Sequence, residues 1–135
     1  MDKKLYSADL EVRWGDIDAL GHVNNSRYFT FFEHARAVWM RDHNIFYMPG
    51  GQVPVLVAVS AAFRKEITFP AQLNIDILLG KVGSRSLQTL YQIRDSKDAS
   101  TIYATGEATQ VWVDTAVQKA VRLPAAVLKY LEQYN

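Results

Sequence analysis

From about residue 26 to residue 44 the apolar residues change their spacing, and that change limits the folds open to this chain more than anything else in it. Tyr28, Phe31, Phe32, Ala35, Val38 and Trp39 recur at intervals of three and four, so they share one face of a helix. Thr30, Glu33, His34 and Arg41 fall largely off that face. Asn24, Asn25 and Ser26 stand at its start, residue types whose side chains satisfy the free N–H groups of a first turn. At 1.5 Å per residue the helix is roughly 28 Å long. With so many aromatic side chains on it, one side must be wrapped by something else. A loop containing Pro49, Gly50 and Gly51 is expected to end it.

The wrapping has to come from strands. Residues 5–14 alternate loosely and run into a polar loop over 15–25, and everything from 53 to 114 reads as extended. One long strand covers 55–69 and is broken by Pro70. Over 72–82, Leu73, Ile75, Ile77 and Leu79 face one way and Gln72, Asn74 and Asp76 the other. Beyond Gly83, Ser84 and Arg85 the period of two continues through Leu87, Thr89, Tyr91 and Ile93. Polar residues 95–100 lead to a last strand over 101–114, and Pro124 opens a short amphipathic helix ending near Gln133. The late strands are joined by only a few residues, whereas parallel neighbours need crossovers of about a dozen, so the sheet should be antiparallel. The expectation is one α+β domain over 1–135: a long central helix wrapped by a curved antiparallel five-stranded sheet, with a short C-terminal helix. Open sheet edges commonly pair with a second copy, which makes a homodimer the expected assembly.

Bulk composition removes several function classes. A chain of 135 residues with 49% apolar and 21% charged residues suits one ordinary globular domain. Its net charge of +1 gives no basic excess for nucleic acid or a membrane surface. Cysteine is absent, which excludes disulfides, thiolate metal sites and a cysteine nucleophile. No secretory signal opens the sequence and no run of about 18 apolar residues occurs, so a soluble cytoplasmic protein is expected.

Chemistry concentrates just before the long helix, where Asp16, Asp18, His22, Asn24 and Asn25 fall within ten positions. A helix N-terminus presents unpaired N–H groups and about half a positive charge, an arrangement that holds a carboxylate or a developing oxyanion. One carboxylate could then attack, or activate water, while a backbone N–H receives a polarised carbonyl oxygen. The same residues also serve as caps and turn formers, and Asp16 would in that role accept backbone hydrogen bonds. His22 is either a catalytic partner or bonded to a neighbouring backbone group. Metal binding is not expected, because no second ligand cluster accompanies this one. Glu33 and Arg36, three apart, suggest a local ion pair, with Glu33 alternatively facing the site. The aromatics of the helix are read first as core. Arg64, Lys65, Lys81 and Arg85 could meet phosphates or simply solvate the sheet. No G-x-S-x-G elbow, P-loop or G-x-G-x-x-G run is present.

At this point the stretch RWGDIDALGHVNNSRYFTFFEHAR resembles the N-terminal signature of the 4-hydroxybenzoyl-CoA thioesterase-like acyl-CoA hydrolases of the hotdog fold. Trp14, Asp16, Asp18, Gly21, His22, Val23, Asn24, Asn25 and Tyr28 match its motif, and the G-H-V-N-N form is typical of the branch acting on fatty acyl thioesters. The resemblance implies that Asp18 is the catalytic carboxylate and that the Asn25 N–H polarises the thioester carbonyl. It places His22, Asn24 and Tyr28 near the reacting centre. It also implies that Arg85 and Ser86, in the turn before the fourth strand, meet coenzyme A phosphates, although Arg85 is the only basic residue there. Ala71-Gln72 departs from the Gly-Asp that relatives often carry. The expected activity is hydrolysis of a fatty acyl-CoA to a free acid and CoA. No cofactor is implied beyond the CoA of the substrate, and the assembly would be a homodimer or homotetramer with sites at the dimer interface. Two rivals are a thioesterase acting on acyl carrier protein and a non-catalytic hotdog module that binds acyl thioesters.

Overall fold

The helix read from the apolar spacing forms as α1, Arg27–His43, and what seats it is a pair of strands adjacent in sequence but far apart in space. The structure, a computed structural model, describes residues 3–46 and 51–134. Its strands are β1 (Lys4–Glu11), β2 (Gln52–Phe63), β3 (Gln72–Val82), β4 (Ser86–Asp95), β5 (Ile102–Asp114) and the two-residue β6 (Lys119–Ala120), followed by α2 (Ala125–Glu132). All pairs are antiparallel, in the order β1-β3-β4-β5-β2, with β6 added against β5. Because β1 and β2 lie at opposite edges, the chain must cross the sheet between them. It does so as α1.

The expected α+β architecture is therefore present, with three differences. β1 ends at Glu11, because residues Trp14–Asp16 turn as a short 3-10 helix that brings the Asp16 carboxylate back to the Arg13 N–H at 2.9 Å. β2 stops at Phe63 instead of running to residue 69. The N–H groups of Arg64 and Lys65 both turn to the Tyr103 carbonyl, at 2.8 and 3.1 Å, and end the ladder. A sixth strand, β6, arises where Val121 N–H reaches back to the Trp112 carbonyl. α1 closes at Asn44, in the left-handed region with φ 53°, whose N–H bonds the Met40 carbonyl at 3.0 Å. The loop expected from Pro49 and Gly50 lies outside the described residues.

Phe31, Phe32, Ala35 and Trp39 of α1 form one core with Ile75, Ile77, Leu87, Ile93, Ala104, Ala108 and Trp112 of the sheet. α2 closes the far end, where the Trp39 indole N–H donates to the Tyr130 hydroxyl at 3.0 Å. Asp76 of β3 pairs with the neighbouring strands, held by Arg94 of β4 at 2.8 Å and by Ser7 of β1 at 2.8 Å. Among the described residues no helix is long and apolar enough to cross a membrane.

One glycine fixes how closely helix and sheet approach. Phe32 stacks on Tyr91 with ring centroids 4.8 Å apart, and its edge lies directly over Gly106 of β5. A Cβ at Gly106 would sit 2.4 Å from that ring and 2.9 Å from the Ser60 carbonyl, so backbone and aromatic would both have to move. Gly106→Ala is accordingly expected to cost about 1–3 kcal/mol through overpacking. A lowered urea midpoint with an unchanged slope would show it; an unchanged midpoint would mean that Phe32 has room to retreat.

Candidate active site

Two aspartates of one short loop end in opposite environments. Asp16 is 1% exposed. Its carboxylate accepts the Arg13 N–H, meets the Arg13 guanidinium at 3.3 Å and lies 3.7 Å from Arg27, while its carbonyl takes the Asn24 N–H at 2.9 Å. It thus joins the loop's beginning to the helix entry. Asp18 is half-buried. Oδ1 takes the Leu20 N–H at 2.9 Å, and among the described residues no hydrogen bond engages Oδ2.

The loop between them is closed by its own backbone. Asp18 N–H bonds the His22 carbonyl and Gly21 N–H bonds the Asp18 carbonyl, both at 3.0 Å, with Ile17 bridged to Val23. Gly21 sits at φ +86°, where a Cβ is disfavoured. Asn24 does the capping: its side-chain oxygen accepts the Ser26 N–H at 3.0 Å and the Ser26 hydroxyl at 2.9 Å, and its carbonyl takes the Arg27 N–H. These bonds leave the Asn25 N–H, among the described residues, without a protein acceptor at the positive end of α1.

Asp18, His22, Asn25 and Tyr28 meet at a cavity of about 290 Å3, completed by Leu20, Val23, Phe63, Arg64, Lys65 and Glu66. Four of the seven residues that the resemblance placed at the site therefore come together, with Arg64 and Lys65 of the basic residues read from the sequence. Asn24 stays outside, engaged with Ser26. Arg85 and Ser86 sit at the turn into β4, where the Arg85 carbonyl bonds Trp112 N–H and the Ser86 carbonyl bonds Gly83 N–H. They do not line this cavity.

The distant residues carry no motif. Glu66 reaches His22 Nε2 at 3.0 Å, and Phe63 packs edge-on against Tyr28 with centroids 4.8 Å apart. They arrive because Val23 N–H bonds the Ile67 carbonyl at 2.9 Å, which pins the chain after β2 to the loop before α1. Burial pushes the Tyr28 phenol above its ordinary pKa and Glu66 adds to the rise, against the Ile67 amide, so Tyr28 remains a neutral donor. Arg64 and Lys65 bring positive charge to the cavity wall. The expected ion pair of Glu33 with Arg36 is absent among the described residues, because Arg36 turns inward to the Tyr91 hydroxyl at 2.9 Å.

A half-buried carboxylate, on the same cavity as a backbone donor at a helix head that has no acceptor among the described residues, can attack or deprotonate beside a carbonyl whose oxygen that donor receives. Residues 12–131 match the thioesterase-like superfamily. The long-chain acyl-CoA thioesterase FadM of Escherichia coli (strain K12) is 29% identical over 133 residues, covering 92% of this chain and 95% of that protein. The structure of the PA2801 protein of Pseudomonas aeruginosa, described as a proposed thioesterase, superposes with a TM-score of 0.89 at 29% identity, covering 96% of this chain and 99% of that one. A proposed acyl-CoA thioesterase of Xanthomonas campestris gives a TM-score of 0.77 at 32% identity, covering 84% and 96% respectively.

The two aspartates predict different phenotypes. Asp16→Ala leaves the Arg13 amide and two guanidinium groups without their buried acceptor, and is expected to lower stability by about 1–3 kcal/mol. Chemical denaturation measures it, and a change below about 0.5 kcal/mol would remove Asp16 from the role of loop anchor.

Proposed function

The chain belongs to the thioesterase-like superfamily, and from that premise we propose that it hydrolyses acyl-CoA thioesters to a free acid and CoA, with Asp18 as the catalytic carboxylate. The observation that carries this is the pairing of the Asp18 carboxylate with the acceptor-free Asn25 N–H on one cavity. A planar thioester set between them has its carbonyl oxygen at the helix head and its carbon before an oxygen of Asp18. Asp18 either adds to that carbon, expelling the thiolate and leaving a mixed anhydride for water to open, or takes a proton from an attacking water. In both routes negative charge grows on the carbonyl oxygen, where the Asn25 donor and the α1 dipole stabilise it more than they stabilise the neutral ester. Tyr28 walls the pocket, and His22, bonded to Glu66, stands beside the reacting carbon. The scheme needs no cofactor, and CoA enters as part of the substrate.

Fatty acyl groups are the substrate class within this proposal. Supporting it are the G-H-V-N-N form of the loop and the long-chain acyl-CoA activity in the name of the Escherichia coli relative. Arg64 and Lys65 on the cavity wall are placed to meet the phosphates of CoA, and Arg85 and Ser86 could receive them from a second copy. Asn24 supports the site from behind, as the cap that leaves Asn25 open.

Replacing Asp18 by Asn keeps the acceptor for Leu20 N–H and the side-chain size while removing the anion. Thiol release from acyl-CoA should fall by about 10²–10³-fold or more with an unaltered unfolding midpoint. Full activity in this variant would overturn the assignment. A wild-type protein that binds acyl-CoA and releases no thiol would instead make the chain a binding module, and faster turnover of a matched acyl carrier protein thioester would move the substrate class.

The assembly we propose is a homodimer, or a tetramer built from it, paired along β2. β2 is an edge strand of 12 residues without a charge, and Val55, Leu56, Val57, Val59 and Phe63 are exposed on it. Uncovered apolar edges of that length invite pairing, and no lysine guards this one. The wild-type chain should sediment at twice its 15.3 kDa mass or more, and Val57→Lys should shift it to the monomer. A monomeric wild type would defeat this reading.

A further inference from the structure

A buried cation and an orphaned amide meet beneath the middle of α1, away from Asp18. Arg36 is 8% exposed and Gln110 is 2% exposed. The guanidinium can only donate, and it gives a 2.9 Å bond to the Tyr91 hydroxyl. The Tyr91 and Thr89 hydroxyls share a 2.6 Å hydrogen bond, and the Thr89 hydroxyl donates to the Gln110 side-chain oxygen at 3.4 Å. With Oε1 engaged by Thr89, the Gln110 Nε2 is left over, and that buried nitrogen has no acceptor among the described residues. Nor, among the described residues, does any carboxylate lie within ion-pair distance of Arg36. Such groups are costly to bury unanswered.

Arg36 and Gln110 both line one cavity. A cavity of about 190 Å3 is lined by Arg36, Gln110, Met40, Pro54 and Leu56, and one of about 140 Å3 beside it by Arg36, Phe29, Leu56 and Val59. Together with the Asp18 cavity they follow one seam. Along β2 the lining runs Phe63, Val59, Leu56, Pro54, and along α1 it runs Asn25, Tyr28, Phe29, Arg36, Met40. The same two elements thus carry the proposed reacting centre at one end and, further along, the cavities beside Arg36, a cation with no carboxylate within ion-pair distance among the described residues. Asn25 and Arg36 are eleven positions apart, roughly 16 Å along the helix.

We propose that Arg36 and Gln110 recognise a carboxylate carried by the acyl group away from its thioester, which makes monothioesters of long dicarboxylic acids the preferred members of the fatty acyl class. This rests on the thioester hydrolase reading given above. A carboxylate supplies the counter-charge that Arg36 lacks and a second oxygen for Gln110 Nε2. Glu33 also lines both cavities, but it is exposed, unpaired with Arg36 and screened by water.

The test compares kcat/KM for CoA monothioesters of dicarboxylic acids with unsubstituted acyl-CoAs matched in length, over a series of lengths. Wild type should prefer the carboxylate-ended member by about tenfold to a hundredfold at its best length. Gln110→Leu should bring that ratio close to one, as should Arg36→Met if it folds. No preference at any length, or a preference untouched in Gln110→Leu, overturns the proposal. Calorimetry with the non-hydrolysable thioether analogues repeats the comparison without turnover. An inert protein that still binds the carboxylate-ended analogue more tightly would sink the hydrolase reading and keep the site, while active enzyme without the preference would do the reverse.

Discussion

The buried carboxylate of Asp16 is the constraint on which the head of α1 depends. Its side chain takes the amide of Arg13 and its carbonyl takes the amide of Asn24, so one residue ties the exit of β1 to the entry of the helix. With only residues 14–23 closed between those points, the loop has little freedom left, and the Ile17–Val23 bridge uses most of it. Asp18, two positions on, is carried to the other side of the bridge, where one oxygen is spent on Leu20 and the other is free. The division follows from saturation. A buried carboxylate whose oxygens are taken up by an amide and two guanidinium groups holds structure; a half-exposed one with a lone pair to spare is available for chemistry.

The strand that completes the site also leaves the molecule unfinished. β2 delivers Phe63 to the cavity beside Tyr28 and lines the cavity beside Arg36, yet among the described residues its outer edge has no partner. Its pairing to β5 is already irregular between Leu56 and Ala58, which turns Val57 outward, 58% exposed. Pocket and edge are thus two faces of one strand. In the proposed dimer, covering the edge and closing the cavity would occur in one event, and the site would be complete only in the assembly.

What could be read from the chain alone follows the range of the interactions involved. The period of α1 and the alternation of β3 and β4 are local, and they stand where the spacing put them. Element ends depend on single long-range bonds, and there the pattern misleads. Trp14 looks like the last residue of an apolar strand but is 75% exposed, since Asp16 has already bent the chain away. Ile67 keeps its apolar burial although the ladder has stopped at Phe63. The cavity divides in the same way. Asp18, His22, Asn25 and Tyr28 are close in sequence and legible together, whereas Glu66 and Phe63 reach them through one hydrogen bond from Val23 that leaves no trace in residue type. Spacing also suggested that Arg36 would pair with Glu33; the Tyr91 hydroxyl, on β4, wins it instead.

That last substitution of partners has an energetic meaning. If Arg36 existed only to bond Tyr91, a neutral donor would do so without desolvating a full charge, and an apolar side chain beside Phe32 would pack at less cost. The same holds for Gln110, whose Thr89 contact uses one end of the amide and strands the other in the core. Two such choices in one network, on residues that line one cavity, cost the chain stability. They make sense as a site held ready: the donors are oriented in advance by Tyr91 and Thr89, so an arriving oxygen meets fixed partners and gains their full strength without reorganising them. The strain of keeping them unanswered in the empty protein is then the source of discrimination against chains that end in carbon.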